Sequence, residues 1–112
     1  MPPREPVPPL EPVSSFRSVP SLQVEFVSTD RKIWAGQAAR IVVRTVDGDM
    51  GVLPGHAPVL ALMAPGQVRI RPADEDAETV EVEVDGGFLS IEHDRVVLVS
   101  DSATVLSGTS VA

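Results

Sequence analysis

The chain of 112 residues is 43% hydrophobic and 22% charged, with 11 prolines and no cysteine. One domain is the most it can hold, and disulfide frameworks, zinc-thiolate sites, iron–sulfur clusters and thiol nucleophiles are excluded. Nine Lys+Arg against sixteen Asp+Glu leave a formal net charge of -7, and with only Arg31-Lys32 adjacent, nucleic acid and purely electrostatic lipid binding are disfavoured.

Seven of the 11 prolines fall within the first twenty residues. Proline removes a backbone donor and fixes φ, so residues 1–20 are expected to form an extended or disordered arm. As a ligand for a proline-recognising groove the arm is weak, because Pro9-Leu10-Glu11-Pro12 has no well-placed basic partner. The amino terminus also lacks the basic and apolar regions of a secretory signal, so a cytoplasmic location is expected.

From Leu22 onward the hydrophobic pattern has period two, the signature of strands with one buried face. Leu22-Gln23-Val24-Glu25-Phe26, Val68-Arg69-Ile70-Arg71 and Thr79-Val80-Glu81-Val82-Glu83-Val84 alternate between aliphatic and polar or charged residues. Ala39-Arg40-Ile41-Val42-Val43-Arg44-Thr45 and Val96-Val97-Leu98-Val99 are richer in β-branched residues and read as more deeply covered strands. Turn signals separate these runs at Thr29-Asp30-Arg31-Lys32, Asp47-Gly48, Pro54-Gly55, Pro65-Gly66, Asp85-Gly86-Gly87 and His93-Asp94-Arg95. Many short strands with regular turns predict an all-β, antiparallel sandwich or barrel. No ten-residue stretch keeps helical periodicity without a proline or glycine. No apolar run reaches the ~18 residues of a membrane span. A short final strand through Ala103 to Leu106 is expected, followed by a frayed tail over 107–112.

The residues offer no catalytic constellation. His93 sits in a hairpin turn between Glu92 and Asp94, and His56 lies in a bend far from any nucleophile elbow. The acidic run from Asp74 to Glu78 lacks the glycine and ligand spacing of a calcium loop. Lys32 lacks the flanking methionines of a biotinylated carrier lysine, and Gly48, Gly51 and Gly55 do not form a phosphate cradle. No catalytic residue, cofactor or metal ligand is therefore assigned. The unusual segment is Asp47 to Leu62, in which three glycines and two prolines surround isolated hydrophobics. It predicts a tight hairpin, a short strand, a second bend and another strand, with Met50 exposed near the first tip as an anchor for a partner.

At this segment the chain resembles the epsilon subunit of F-type ATP synthases. Thr45-Val46-Asp47-Gly48-Asp49-Met50-Gly51-Val52-Leu53-Pro54-Gly55-His56-Ala57-Pro58-Val59-Leu60 is similar to the family pattern T-x-E/D-G-E/D-x-G-x-L/Y-P-G-H-A-P-L-L. Leu22 to Ser28 followed by Lys32-Ile33-Trp34-Ala35-Gly36 resembles its opening strand and W/F-S/A-G turn. Pro65-Gly66-Gln67-Val68-Arg69-Ile70 and Gly86-Gly87-Phe88-Leu89-Ser90-Ile91 resemble two further strands.

The resemblance covers residues 22–106 and implies a β-sandwich of about ten strands over 21–106. It implies a non-catalytic rotor subunit that links the c ring to the gamma subunit and couples proton flow to ATP synthesis. The location implied is the cytoplasmic face of a bacterial plasma membrane, peripheral and held there only by the complex. The c-ring contact is carried over to Thr45, Val46, Asp47, Gly48, Asp49 and Met50, with His56 on the neighbouring bend. The family's carboxy-terminal helical hairpin has no counterpart after Leu106, so its inhibition of hydrolysis and nucleotide binding are not carried over. The alternative is a free-standing β-sandwich ligand-binding module that uses the same glycine-rich loops.

Overall fold

The computed structural model describes residues 20–108. The proline-rich arm up to residue 19 and the tail over 109–112 lie outside the described residues. Nine strands follow one another: β1 (Leu22–Ser28), β2 (Arg31–Thr45), β3 (Gly48–Val52), β4 (Val59–Met63), β5 (Gly66–Pro72), β6 (Val80–Val84), β7 (Gly87–Glu92), β8 (Arg95–Ser100) and β9 (Ala103–Ser107). The all-β sandwich is as expected, with nine strands among the described residues where about ten were expected, and the last strand runs one residue past Leu106.

The strands form two layers that share β2. One layer is β1-β8-β7-β4, the other β3-β2-β5-β6-β9. At fifteen residues β2 is long enough to serve both: its first part pairs with β1, its last part with β3 and β5, and Thr45 reaches Met63 of β4. The turn expected at Trp34-Ala35-Gly36 is absent, because Ala35 pairs with Glu25 and Gly36 with Val24 inside the β1–β2 ladder. Gly36 serves close packing instead, since a Cβ there would lie 3.2 Å from the Trp34 indole.

Alternation is reset twice along β2. Between Phe26↔Trp34 and Val27↔Lys32 the register slips by one residue, and the extra residue, Ile33, lets both Ile33 and Trp34 turn into the core. A second slip between Ala38↔Pro72 and Arg40↔Arg71 inserts Ala39. A bulge of this kind bends and twists a strand, which is what carries β2 from one layer into the other. The remaining pairings are antiparallel except one: β1 lies parallel to β8, Val24 beside Val96 and Phe26 beside Leu98. The expectation of a purely antiparallel sandwich is corrected at this pair, since β1 enters the sheet through its hairpin with β2 and that fixes its direction.

The core lies between the layers. Leu22, Phe26, Ile33, Ile41, Val52, Val68, Ile70, Leu89, Val96 and Leu98 are fully buried. Each contributes on the order of 1.5–3 kcal/mol relative to an exposed side chain, against the entropy of ordering the chain. Val96 and Leu98 face this core while Val97 and Val99 are half-buried on the other side, so β8 is less covered than its composition suggests.

Candidate interaction surface

The β2–β3 hairpin is closed by a side chain. Thr45 Oγ1 donates to the Gly48 carbonyl at 2.7 Å and accepts from the Asp47 N–H at 3.1 Å. Thr45 is itself buried. The hairpin is anchored to β4 on either side of the Thr45–Met63 pair, with Val46 N–H donating to Leu62 O (3.0 Å) and Ala64 N–H to Arg44 O (2.9 Å). Val46, Asp47, Gly48 and Asp49 are exposed. Asp49 Oδ1 lies 3.3 Å from Arg44 Nε, with both side chains largely in water, so the pair shapes the tip more than it stabilises it. Met50 departs from expectation: it is half-buried and packs against the core. The reason is the ladder, which sets Met50 opposite Val43, a core residue, and so turns both side chains inward.

His56 sits at the far end of β3. Thr45↔Gly48 closes one end of the β2–β3 ladder and Ile41↔Val52 the other, with the bend from Leu53 to Pro58 following. His56 N–H donates to Leu53 O (3.1 Å), and His56 Nδ1 lies 2.7 Å from Ala57 O. The hairpin tip and His56 are thus two ends of one strip. One side of β3 pairs with β2, and among the described residues its other side carries no strand. Val46 and Leu53, at the two ends of this strip, are both more than half exposed.

Sequence reasoning missed a second surface. On the outer side of the β1-β8-β7-β4 layer, the ladders set Leu62 opposite Phe88, Phe88 opposite Val99 and Val99 beside Val27. This row of apolar side chains crosses four strands. Leu62 (61% exposed) and Phe88 (40%) form its open part, and Leu60 (72%) stands beside it on the same face of β4, opposite Ser90. Apolar side chains lined up in water mark an interaction face rather than a solvated one. The signal was present in the five consecutive apolar residues Val59-Leu60-Ala61-Leu62-Met63, which cannot all face inward on a strand.

The other candidate residues stay apart. His93 and Asp94 form the β7–β8 turn with φ of 52° and 61°, and His93 is exposed. Lys32 is on β2, with Nζ 3.9 Å from Glu25 Oε2. Among the described residues no three His, Asp or Glu side chains come together as a metal site, and no helix is long and apolar enough to cross a membrane.

The family of the ATP synthase delta/epsilon chain β-sandwich domain matches residues 21–105. The ATP synthase epsilon chain of Micrococcus luteus is 48% identical over 82 residues, which cover 73% of this chain and 88% of the relative. That of Frankia casuarinae is 42% identical over 83 residues, covering 73% of this chain and 94% of the relative. A chain in the cryo-EM structure of the Euglena gracilis mitochondrial ATP synthase, OSCP/F1/c-ring in rotational state 1, superposes with a TM-score of 0.71. That match covers 95% of this chain and 72% of the other at 24% identity, and so attests the fold. With its match extending from the first residues of β1 into β9, this chain belongs to the family of ATP synthase delta/epsilon chain β-sandwich domains.

Proposed function

We propose that the protein is an epsilon-type central-stalk subunit of a proton-translocating F-type ATP synthase, linking the c ring to the gamma subunit without catalysing any step itself. The observation that carries this reading is the apolar row Leu62–Phe88–Val99–Val27 on the outside of a sandwich of this family. A rotor subunit needs one face that stays attached to the shaft, and a flat apolar sheet surface suits a permanent interface. This face is assigned to the gamma subunit. The acidic tip and the open side of β3 are assigned to the c ring, with Val46, Asp47, Gly48, Asp49 and His56 in contact and Thr45 and Met50 shaping the strip from beneath. Exposed charge at such a rim tunes orientation and association rate. The complex would hold the protein peripherally at the cytoplasmic face of a bacterial plasma membrane.

Affinity purification of the tagged full chain from gently solubilised membranes tests the reading. Gamma, the catalytic subunits and the c ring are expected in fixed proportion. A lone chain, or one that binds a sugar, peptide or lipid without synthase subunits, would overturn it.

A further inference from the structure

This acidic chain gathers half of its eight arginines on the outer side of the β3-β2-β5-β6-β9 layer. Arg40 and Arg44 stand on β2 and Arg69 and Arg71 on β5, and all four are exposed. Residues opposite one another on a ladder share a face, so the registers set these side chains in rows. In one row Arg44 lies opposite Asp49, their ion pair spanning 3.3 Å. In the next, Val42 lies opposite Arg69, and Arg69 opposite Glu81, whose Oε2 is 3.3 Å from Arg69 Nε. The third row holds Arg40 directly opposite Arg71, and among the described residues neither forms an ion pair.

Like charges set opposite each other destabilise a sheet, and a bulge produces this pair. Alternation from the buried Ala38 would turn residue 40 back toward the core; with Ala39 inserted, Arg40 points outward beside Arg71. Farther along, Arg71 shares a groove with Asp74 and Glu75, yet neither carboxylate comes within ion-pairing distance of it. Val42, the next outward residue on β2, is half-buried, and from it a groove of about 450 Å³ runs between Arg44, Gln67 and Arg69. Among the described residues, then, this face offers two guanidiniums without a counter-charge, an apolar floor beside them and a channel leading away.

We propose that this face docks an acidic segment of a partner polypeptide, with a carboxylate held between Arg40 and Arg71 and the segment running over Val42 toward Gln67. Paired guanidiniums bind a carboxylate through charge-assisted, often bidentate hydrogen bonds. A polyanion or an anionic membrane suits the face less well, because Asp49, Glu81 and Glu83 stand on it too and the chain carries a net charge of -7. Docking accounts for a repulsive pair that one glutamine would relieve. The apolar row of Leu62 and Phe88 lies on the other layer, so both faces can be occupied at once.

Photo-crosslinking tests this in the full chain, expressed in cells of its own host with a benzophenone side chain in place of Gln67. Irradiation is expected to join the chain to one partner polypeptide, with the attachment mapped by peptide mass spectrometry beside an Asp or Glu. The adduct is expected to weaken in Arg71→Gln, to disappear in the Arg40→Glu, Arg71→Glu double variant, and to persist in Arg95→Glu on the other layer. Changing the mapped carboxylate to lysine restores it in the double variant. Melting of the purified chain is the control for folding: Arg71→Gln melts no lower than the parent, because it removes repulsion. A lower melting temperature in Arg71→Gln would make the pair structural and overturn the proposal. So would the absence of a polypeptide adduct, an adduct that survives the double reversal, or one mapped to a second copy, to lipid or to nucleic acid.

Discussion

Asp94 and Gly55 are 39 residues apart in sequence, yet Asp94 Oδ1 accepts a hydrogen bond from the Gly55 N–H at 2.7 Å. The Asp94 main-chain carbonyl also accepts from Gln23 N–H at 2.7 Å. One turn residue thus joins the start of β1, the bend after β3 and the β7–β8 hairpin. It does so from φ 61°, a left-handed conformation that Asp and Asn tolerate better than most residues.

Replacing Asp94 separates these two roles. Asp94→Ala is expected to lower stability by about 1–2 kcal/mol, from a lost charged acceptor and a strained backbone. Asp94→Gly relieves the backbone alone, and Asp94→Asn retains most of both. Urea denaturation gives the order Asn, Gly, Ala from most to least stable. Hydrogen exchange at the Gly55 amide accelerates in Ala and Gly and much less in Asn.

Thr45 and Asp49 stand four residues apart with opposite expectations. Thr45→Val removes the two hydrogen bonds that the buried Thr45 hydroxyl makes to the Gly48 carbonyl and the Asp47 N–H and costs about 1–3 kcal/mol, while Thr45→Ser recovers most of it. Asp49→Ala breaks only an exposed pair with Arg44, worth at most about 1 kcal/mol. Thermal melts of the three variants distinguish these outcomes. A large loss in Asp49→Ala would contradict its placement at a solvated tip.

Gly87 and Gly51 form a second contrast. A Cβ on Gly87 would collide with the Val99 carbonyl oxygen and lie 2.8 Å from Ser100 Cα, from a φ of 123°. Around Gly51 nothing lies within 4 Å. Gly87→Ala is therefore expected to destabilise by about 3 kcal/mol or more, and Gly51→Ala by no more than about 1 kcal/mol. Denaturant midpoints read both.

The apolar row should behave as a surface. Leu62→Asp is expected to change stability by no more than about 1 kcal/mol, because Leu62 is 61% exposed, and Phe88→Ser by about 1–2 kcal/mol, because Phe88 is 40% exposed and partly covered, whereas Leu89→Ala costs about 2–5 kcal/mol. On the proposed assignment, Leu62→Asp and Phe88→Ser also abolish retention of the gamma subunit in a pull-down, and Asp49→Ala does not. Because Leu62 and Phe88 are direct cross-strand partners, the double variant should be less than additive.

Much of this architecture was legible in the chain. Strict alternation in Leu22 to Phe26, Val68 to Arg71 and Val80 to Val84 marks both the strands and their buried faces, since successive side chains on a strand point to opposite sides. Asp47-Gly48 and His93-Asp94 mark hairpins, whereas Pro54-Gly55, Pro65-Gly66 and Gly86-Gly87 mark connections between strands that do not pair, and the order of motifs from Leu22 to Leu106 carries the family. The absence of cysteine excludes disulfides and thiol chemistry by itself.

Tertiary structure decided the rest, because alternation says which face of a strand is buried and not which strand lies beside it. Only the ladders could show that β1 runs parallel to β8, and that Ile33 and Ala39 are the extra residues that take β2 from one layer to the other. Met50 reads as exposed near a loop tip until its pairing with Val43 turns it inward. The apolar row exists because four strands distant in sequence place Leu62, Phe88, Val99 and Val27 side by side, and Asp94 meets Gly55 because two turns share one end of the sandwich. Local pattern fixes a residue's side of its own strand, while neighbours across strands are set by the register and order of the whole sheet.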